Sequence, residues 1–536
     1  MRFGRRRALR NGEREDRCCG AGYHGAVLRR SVSRFRAHWR IAAGALLLAA
    51  LSASLIGEAR QRPPSLTADE SQWITSGYVA WKLLRQLEAP ARWEAAFDER
   101  ELADWGNKNP PLGKYVIGVA VTPHVRSDAD VNYHWAFFRP PDSPGPPNKA
   151  PPVDLLIAAR TAIAVCGALT LVASYLVAFE LIGTSLWACL APLCLFLVPG
   201  FQFHATHVFT DAPQLVFLLL GTHALLVRER TGRAWWLVWA LVCGGLACAV
   251  KPSAGVFCVG ALLTVGQRSL RRNQPRWPLL AAVVVPLAVF VAVNPYLYDD
   301  PFGKTVRLVR DWQTSKALQQ QQPVVADQAV ETLGRSFELM SLRGALAPTS
   351  TPFPRSLASE ALWQRTPVLI GLASLALASL WLVGLRLSLR VPAGRLGLLL
   401  GAFLLGIVLE AALTSEVTWY GGLSLLGLWS LAADSVGPRA PALRAFSILL
   451  VSNWVITTLW LPFDWSRYYL PTLGLMSCVY AYGAATAARS FAWRTCEVGH
   501  ALRSWPGIAH SFFAFMFAVA AGWLLISVIT PPLLPP

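Results

Sequence analysis

Residues 155–179 read LLIAARTAIAVCGALTLVASYLVAF, and Arg160 is the one charged residue among them. A helix needs about 20 apolar residues to cross the roughly 30 Å hydrocarbon core of a membrane, and this stretch supplies them. Similar apolar runs recur along the 536-residue chain, which is 54% hydrophobic and only 15% charged. The runs do not alternate between apolar and polar residues, so they predict membrane-spanning helices rather than the strands of a β-barrel.

The distribution of arginine predicts how the chain is threaded through the membrane. The net charge is +18, and the arginines concentrate in the first 40 residues and in short turns between the apolar runs. Cytoplasmic loops carry such an excess of positive charge, so we interpret it as topology and not as a nucleic-acid interface. The prediction is an all-α polytopic membrane protein with about 13 transmembrane helices. Its parts are a basic cytoplasmic tail at 1–40, a membrane domain at 41–536, and long outer loops at about 58–154 and 294–365.

The polar clusters that could carry chemistry all fall on the predicted outer side. They are far apart in sequence, at 69–70, 107–111, 204–211, 251, 294–300 and 464–469. Threading the apolar runs back and forth brings these clusters to one membrane surface. The sequence therefore predicts a single active site built from loops.

Two adjacent carboxylates, Asp69 and Glu70, follow the first apolar run. A carboxylate in this place can serve as a general base or as a ligand for a cation. The same residues are also typical of the first turn of a helix that is capped by Thr67. The two interpretations do not exclude each other.

The polar turn that contains Lys108 and Asn109 precedes two prolines and an apolar segment. A lysine beside prolines at the membrane interface could hold a phosphate, although a turn with only a structural part is the alternative. The apolar segment at 111–122 is too short to span a membrane and predicts an interfacial or re-entrant helix.

Three residues with metal-binding side chains, His204, His207 and Asp211, are spaced by three and four positions. If they belonged to one helix they would share a face and could bind a metal ion. The alternative is a polar turn between two helices. Lys251 and Arg160 lie near the outer ends of predicted spans, where a cationic side chain either extends to the membrane surface or faces a polar cavity.

The order of the motifs resembles the protein O-mannosyltransferase superfamily of type C glycosyltransferases, which includes the lipid A aminoarabinose transferases. The motifs that carry the resemblance are Asp69–Glu70, NPPLGK at 109–114, FTDAP at 209–213, KPSAG at 251–255, NPYLYDDP at 294–301 and RYYLP at 467–471. The resemblance covers most of the chain and implies the type C fold.

The resemblance also implies an activity and a location. Such an enzyme moves a sugar from a polyprenyl-phosphate donor to a hydroxyl group of a protein, lipid or glycan. The site would face outward from a bacterial inner membrane. The resemblance makes Asp69 the catalytic base and gives Glu70 the task of positioning the acceptor or the donor.

Further roles are implied for other residues. The donor phosphate would be bound by Arg160, Lys251, Arg467 and Lys108, and the substrates by Asn109, Asp211 and Tyr468. No cofactor is implied with certainty; a divalent cation could assist, and its candidate ligands are the three residues spaced along 204–211.

The alternative function is a polytopic transporter or lipid flippase. Transporters place charged and polar residues near the middle of the bilayer. The predicted spans are nearly free of charge at their centres, which favours the glycosyltransferase.

Overall fold

The computed structural model describes residues 21–61, 67–98, 109–131, 151–272, 277–321, 426–431, 434, 439–460 and 466–498. Within these ranges the regular structure is helical and contains no strand, which confirms the predicted helical class. The first helices are α1 Ala21–Gln61, α2 Ala68–Arg85, α3 Pro90–Asp98, α4 Leu112–Val121, α5 Val153–Ile182, α6 Ser185–Ala188 and α7 Leu190–Phe196. They are followed by α8 Pro199–Thr206, α9 Asp211–Thr231, α10 Ala234–Val250, α11 Gly255–Arg272, α12 Trp277–Val293, α13 Pro301–Gln321, α14 Ala440–Trp460 and α15 Ser466–Val498.

Two of the described helices are long and apolar enough to cross a membrane, namely Ile41–Gln61 within α1 and all of α5. Shorter apolar helices occur at Ala234–Val250, Trp277–Val293 and Ala440–Ile456. The predicted total of about 13 spans is not confirmed, because the spans predicted at 511–528 and over most of 366–433 lie outside the described residues.

The third predicted span, at 185–199, ends at a sharp bend. Ser185–Phe196 and Gly200–Thr206 meet at an angle of 78°. The break falls at Val198, whose backbone is extended, directly before Pro199. Proline disfavours a helical conformation of the residue that precedes it, which explains why the helix stops there.

Helix α5 forms the centre of the described bundle, where it contacts α1, α4, α7, α9 and α15. Its buried side chains include Leu155, Ile163, Leu171 and Val177, none of which is exposed. Helix α1 runs without interruption from Ala21 into the first predicted span, so half of the predicted basic tail is helical.

The carboxyl end of α5 is surrounded by arginines, as predicted for the inner side. Arg439 and Arg489 donate to the carbonyl oxygen of Ile182 at 2.5 and 2.6 Å. Arg230, in the last turn of α9, pairs with Glu180 at 3.0 Å. The last carbonyl groups of a helix have no partner within the helix, and cations there also complement its dipole.

The arginine-rich end and the polar clusters lie at opposite ends of the same helices. Asp211 is the first residue of α9 and Arg230 lies in its last turn. A helix of this length separates them by about 30 Å, the thickness of the hydrocarbon core. The two groups therefore lie at opposite ends of α9, and which end faces outward stays a prediction.

We expect cysteines introduced at Leu87 and Leu270 to be labelled from opposite sides of the membrane. The two side chains are 87% and 86% exposed, so they should react equally well. Leu87 follows α2 in the segment predicted as the first outer loop, and Leu270 lies near the end of α11 beside Arg268. A membrane-impermeant maleimide applied to intact cells should label only the Leu87→Cys variant.

The unsubstituted chain measures labelling of the native cysteines, and permeabilised cells show that both introduced cysteines can react. Labelling of both variants in intact cells would contradict the threading.

Candidate active site

The first turn of α2 carries the two carboxylates. The helix begins at Ala68, directly after Thr67, and both acids lie in its first turn. An Oε2 atom of Glu70 accepts the backbone N–H of Thr67 at 2.9 Å. The interpretation of this motif as a helix start is therefore confirmed, and the carboxylates lie where the helix dipole favours negative charge.

Glu70 forms a buried ion pair with Arg160 of α5. The Nε and one terminal nitrogen of the guanidinium donate to the two carboxylate oxygens, each at 2.7 Å. The backbone N–H of Val208 donates to the same carboxylate at 3.0 Å. The Glu70 side chain is 0% exposed and that of Arg160 is 1% exposed. One carboxylate thus joins α2, α5 and the turn between α8 and α9.

The surroundings of Glu70 keep it ionised. Burial alone would raise the pKa of this carboxyl, but the hydrogen bonds from Arg160 and the positive charges of Arg160 and His207 outweigh burial and lower the pKa. A two-pronged guanidinium contact is a strong form of ion pair because both hydrogen bonds are charge-assisted. Asp69, the adjacent residue, is partly exposed.

Arg160 is buried and paired with a carboxylate. Its guanidinium is inside the protein and holds Glu70. The predicted roles of Arg160 as a phosphate ligand and of Glu70 as a substrate-positioning group stay predictions. The geometry favours a structural part for both side chains.

The segment 204–211 is not one helix. Helix α8 ends at Thr206, His207 is extended, and α9 begins at Asp211. His207 Nδ1 lies 2.9 Å from the carbonyl oxygen of Phe203, and its ring packs against the Phe203 ring at 4.1 Å. His204 Nδ1 lies 3.9 Å from an Asp211 carboxylate oxygen.

This geometry bears on the candidate metal ligands. Among the described residues no group of three His, Cys, Asp or Glu side chains is placed to hold a metal ion. His204, His207 and Asp211 do not share a helix face, because the chain leaves the helix at His207. The alternative prediction for this segment, a polar turn between two helices, describes what the structure shows.

A second ion pair joins the start of α9 to the end of α10. Lys251 Nζ lies 2.5 Å from an oxygen of Asp211. The Asp211 side chain is 4% exposed and that of Lys251 is 19% exposed. Gln214, one turn along α9, donates to the hydroxyl of Ser253 at 2.9 Å, so two polar contacts hold the same pair of segments together.

Helix α4 closes this end of the bundle. Its residue Gly113 lies against Thr210 and Val250, and a Cβ atom at Gly113 would come within 2.7 Å of Thr210. Further along, a Cβ at Gly118 would lie 2.4 Å from the carbonyl oxygen of Gly77 in α2. The two glycines allow α4 to approach both neighbours closely.

Lys114, the last residue of the NPPLGK motif, is a buried cation to which no individual role was assigned from the sequence. It is 1% exposed, donates to the carbonyl oxygen of Asn109 at 2.6 Å, and lies 5.0 Å from the centre of the Phe97 ring. Burial lowers the pKa of its ammonium group. The sequence feature that could have identified Lys114 is a lysine inside an otherwise apolar segment. An ionisable residue in such a segment indicates a functional site.

Three predicted site residues are not placed by the structure. Lys108 lies outside the described residues. Arg467 and Tyr468 lie in the first turn of α15, but their side chains fall outside the described part. The predicted roles of these three, and those of Asn109 and Asp211 in substrate binding, stay predictions.

Residues 103–296 match the family model for dolichyl-phosphate-mannose-protein mannosyltransferase, which confirms the resemblance predicted from the motifs. No curated protein sequence matches the chain. The matched segment contains Arg160, the turn at 204–211 and Lys251, and it ends before Arg467. Asp69 and Glu70 precede it.

Solved structures of membrane glycosyltransferases are similar to the chain. One is the archaeal oligosaccharyltransferase AglB from Archaeoglobus fulgidus, in complex with an inhibitory peptide and a dolichol-phosphate. Its sequence is 13% identical and the TM-score is 0.44. The match covers 91% of this chain and 55% of AglB. Another is ArnT from Cupriavidus metallidurans, bound to undecaprenyl phosphate, with 14% identity and a TM-score of 0.35. The match covers 86% of this chain and 80% of ArnT.

A second Archaeoglobus fulgidus oligosaccharyltransferase structure, in complex with Zn and sulfate, is 14% identical with a TM-score of 0.43 and covers 89% of this chain. The chain spans about half the length of these archaeal proteins, 55% and 51%.

Proposed function

We propose, from the match of residues 103–296 to a mannosyltransferase family, that this chain is a membrane glycosyltransferase. It moves a sugar from a polyprenyl-phosphate donor to a hydroxyl group of a protein, lipid or glycan on the extracytoplasmic face. The observation that carries the proposal lies within and beside the matched segment. Ionisable side chains from α2, α5, α9 and the end of α10 meet at one end of the bundle, away from the arginine-rich end.

The chemistry that we assign to Asp69 is general-base catalysis. Its carboxylate takes the proton of the acceptor hydroxyl while the acceptor oxygen bonds to the anomeric carbon of the sugar. The bond between that carbon and the phosphate oxygen breaks, and the polyprenyl phosphate leaves with the bonding electrons. A single displacement of this kind inverts the anomeric centre.

Glu70 and Arg160 position the base in this proposal. Because both oxygens of Glu70 are held by Arg160, the first turn of α2 is fixed to α5. Asp69 is the residue before Glu70, so its position is set by the same turn. A general base must lie within hydrogen-bond reach of the proton that it removes, so fixing the turn supports catalysis.

Lys251 is the described cation best placed to meet the donor phosphate. Its side chain is 19% exposed, whereas that of Arg160 is 1% exposed. Asp211 holds the ammonium group in place. Arg467 and Lys108 are the further cations that we assign to the phosphate, and Arg467 suits a two-pronged contact with its oxygens.

The proposal is tested with a strain that lacks this gene. Its cell envelope is compared with that of the parent strain. Mass spectrometry of glycans, glycolipids and glycoproteins should show that one sugar substituent is lost and that a polyprenyl-phosphate sugar accumulates. Expression of the wild-type chain should restore the substituent.

Purified protein separates the proposal from the transporter or flippase alternative. Incubated in detergent with the accumulated lipid-linked sugar and the unmodified acceptor, a glycosyltransferase forms the product. A flippase forms none, because it moves the lipid-linked sugar without breaking the bond between sugar and phosphate. Failure to form the product under these conditions would contradict the proposal.

A further inference from the structure

Two cysteines face each other where α10 and α11 meet. Cys248 lies in the last turn of α10, and Cys258 lies in the first turn of α11. Their sulfur atoms are 3.9 Å apart, so the two thiols are in direct contact. The residues are only 10 positions apart in the sequence, and the chain between them therefore forms a short turn that is closed by the two thiols.

The enclosed turn carries Lys251. The backbone N–H of Lys251 donates to the carbonyl oxygen of Ala247 at 2.9 Å, and its carbonyl oxygen accepts the N–H of Ala254 at 3.0 Å. The ammonium group of the same residue forms the ion pair with Asp211. The two sulfur atoms thus lie at the two ends of the segment that supplies the cation of this ion pair.

The packing of α11 on α10 directs the Cys258 thiol toward Cys248. A Cβ atom at Gly244, one turn before Cys248, would come within 3.1 Å of the Cys258 sulfur, so this thiol lies against the surface of α10. Both cysteines are partly exposed, and a reagent can reach them. The sulfur atoms of a disulfide are about 2.05 Å apart, and rotation of the two side chains between their staggered positions can bring these atoms together.

We propose that Cys248 and Cys258 form a disulfide bond, which ties together the two ends of the turn that carries Lys251. Through its ion pair with Asp211, the turn lies at the end of α9 opposite Arg230, which is the predicted outer side. Disulfides form and persist in the oxidising conditions outside the cytoplasm. The proposal rests on this predicted sidedness, which the labelling at Leu87 and Leu270 tests separately, and not on the proposed sugar transfer.

The bond forms by thiol–disulfide exchange with an oxidant that itself carries a disulfide. The thiolate of one cysteine attacks a sulfur atom of the oxidant and releases the first oxidant thiol. The second cysteine then attacks the mixed disulfide and releases the second oxidant thiol. The two cysteines together lose two electrons and two protons, and the oxidant gains them as its disulfide becomes two thiols.

Mass spectrometry of the chain from native membranes tests the proposal. Free thiols are blocked with N-ethylmaleimide in denaturant at the moment of lysis, and the unreduced protein is digested with chymotrypsin. Cleavage after Phe257 places the two cysteines on different peptides. We expect these peptides to stay linked, with a mass two hydrogen atoms below the sum of the separate peptides, and to separate on reduction.

Cys243→Ser is the matched control, because Cys243 is a buried cysteine of the same helix. The linked peptides should persist in this variant and should disappear in Cys248→Ser. N-ethylmaleimide on both Cys248 and Cys258 of the wild type would show that the thiols are free and would overturn the proposal. Linkage of either cysteine to a different thiol would also overturn it.

The response to a reductant tests whether the bond holds the turn. Closing a loop restricts the unfolded chain, so the disulfide should raise the unfolding temperature. A phosphine reductant is expected to lower the unfolding temperature of the wild type and of Cys243→Ser, but not that of Cys248→Ser. An unchanged wild type, or an equal decrease in Cys248→Ser, would contradict a stabilising bond at this turn.

Discussion

Replacing Asp69 with asparagine is expected to lower the rate of sugar transfer by about 10²–10⁴-fold, the usual contribution of a general base. Asparagine keeps the size and the hydrogen-bonding reach of the side chain but cannot take the acceptor's proton. The loss should appear in the turnover rate rather than in the apparent affinity for the donor. The measurement is product formation by purified enzyme at saturating lipid-linked donor.

The control for this experiment is Asp128→Asn. Asp128 also lies in the segment predicted as the first outer loop. It is ion-paired to Lys82 at 3.0 Å, but its side chain is 53% exposed. The same chemical change at that position should leave transfer unchanged. If Asp69→Asn retained half of the wild-type rate while folding normally, Asp69 would not be the base.

The sequence was sufficient to predict the helices that are formed by long apolar runs. The bounds predicted for the second span at 155–179 fall within α5, because a continuous apolar run with one charge has no other stable form in a membrane. The start of α2 was also foreseen, since Thr67 and the following acids form a local capping pattern.

The features that the sequence could not predict share a physical cause, which is tertiary contact. The spacing of His204, His207 and Asp211 fits one helix, yet the chain turns at His207, where its ring stacks on Phe203 and the Val208 N–H is used by Glu70. The pairing of Glu70 with Arg160 joins residues 90 positions apart. No local pattern encodes such a contact, so the sequence did not predict this pairing, and the phosphate-binding role of Arg160 stays a prediction.

The convergence of the polar clusters was predictable in outline but not in detail. Threading by arginine content places Glu70, Arg160, Asp211 and Lys251 on one side, and the structure brings them into two ion pairs. Which acid meets which base depends on how α2, α4 and α10 pack. That packing rests on close approaches such as Gly118 against Gly77, which hydropathy does not reveal.

We expect Glu70→Gln to destabilise the protein by about 3–5 kcal/mol, because removal of one partner of a buried ion pair leaves the other charge uncompensated. The change leaves Arg160, 1% exposed, without a counter-charge on Glu70. Glutamine also offers only one acceptor oxygen, where the carboxylate offers two to Arg160, Val208 and Thr67. Unfolding in detergent micelles, followed by circular dichroism, measures the loss.

Asp128→Asn is again the matched control, because it removes one carboxylate from an exposed ion pair. Such pairs contribute about 0–1 kcal/mol, so its unfolding transition should stay close to that of the wild type. Equal shifts for the two variants would mean that the buried pair contributes no more than an exposed one.

Acid supplies an independent test of the same ion pair. The pKa of Glu70 in the folded protein is below the 4.5 of an ordinary glutamate. Its contribution to stability is therefore complete above about pH 4.5 and is lost as the pH falls through the lower, folded-state pKa. The wild type should lose stability in that range, and Glu70→Gln should lose less, since it has no carboxylate to protonate there. Parallel acid profiles for the two proteins would show that Glu70 is not held as an anion by Arg160.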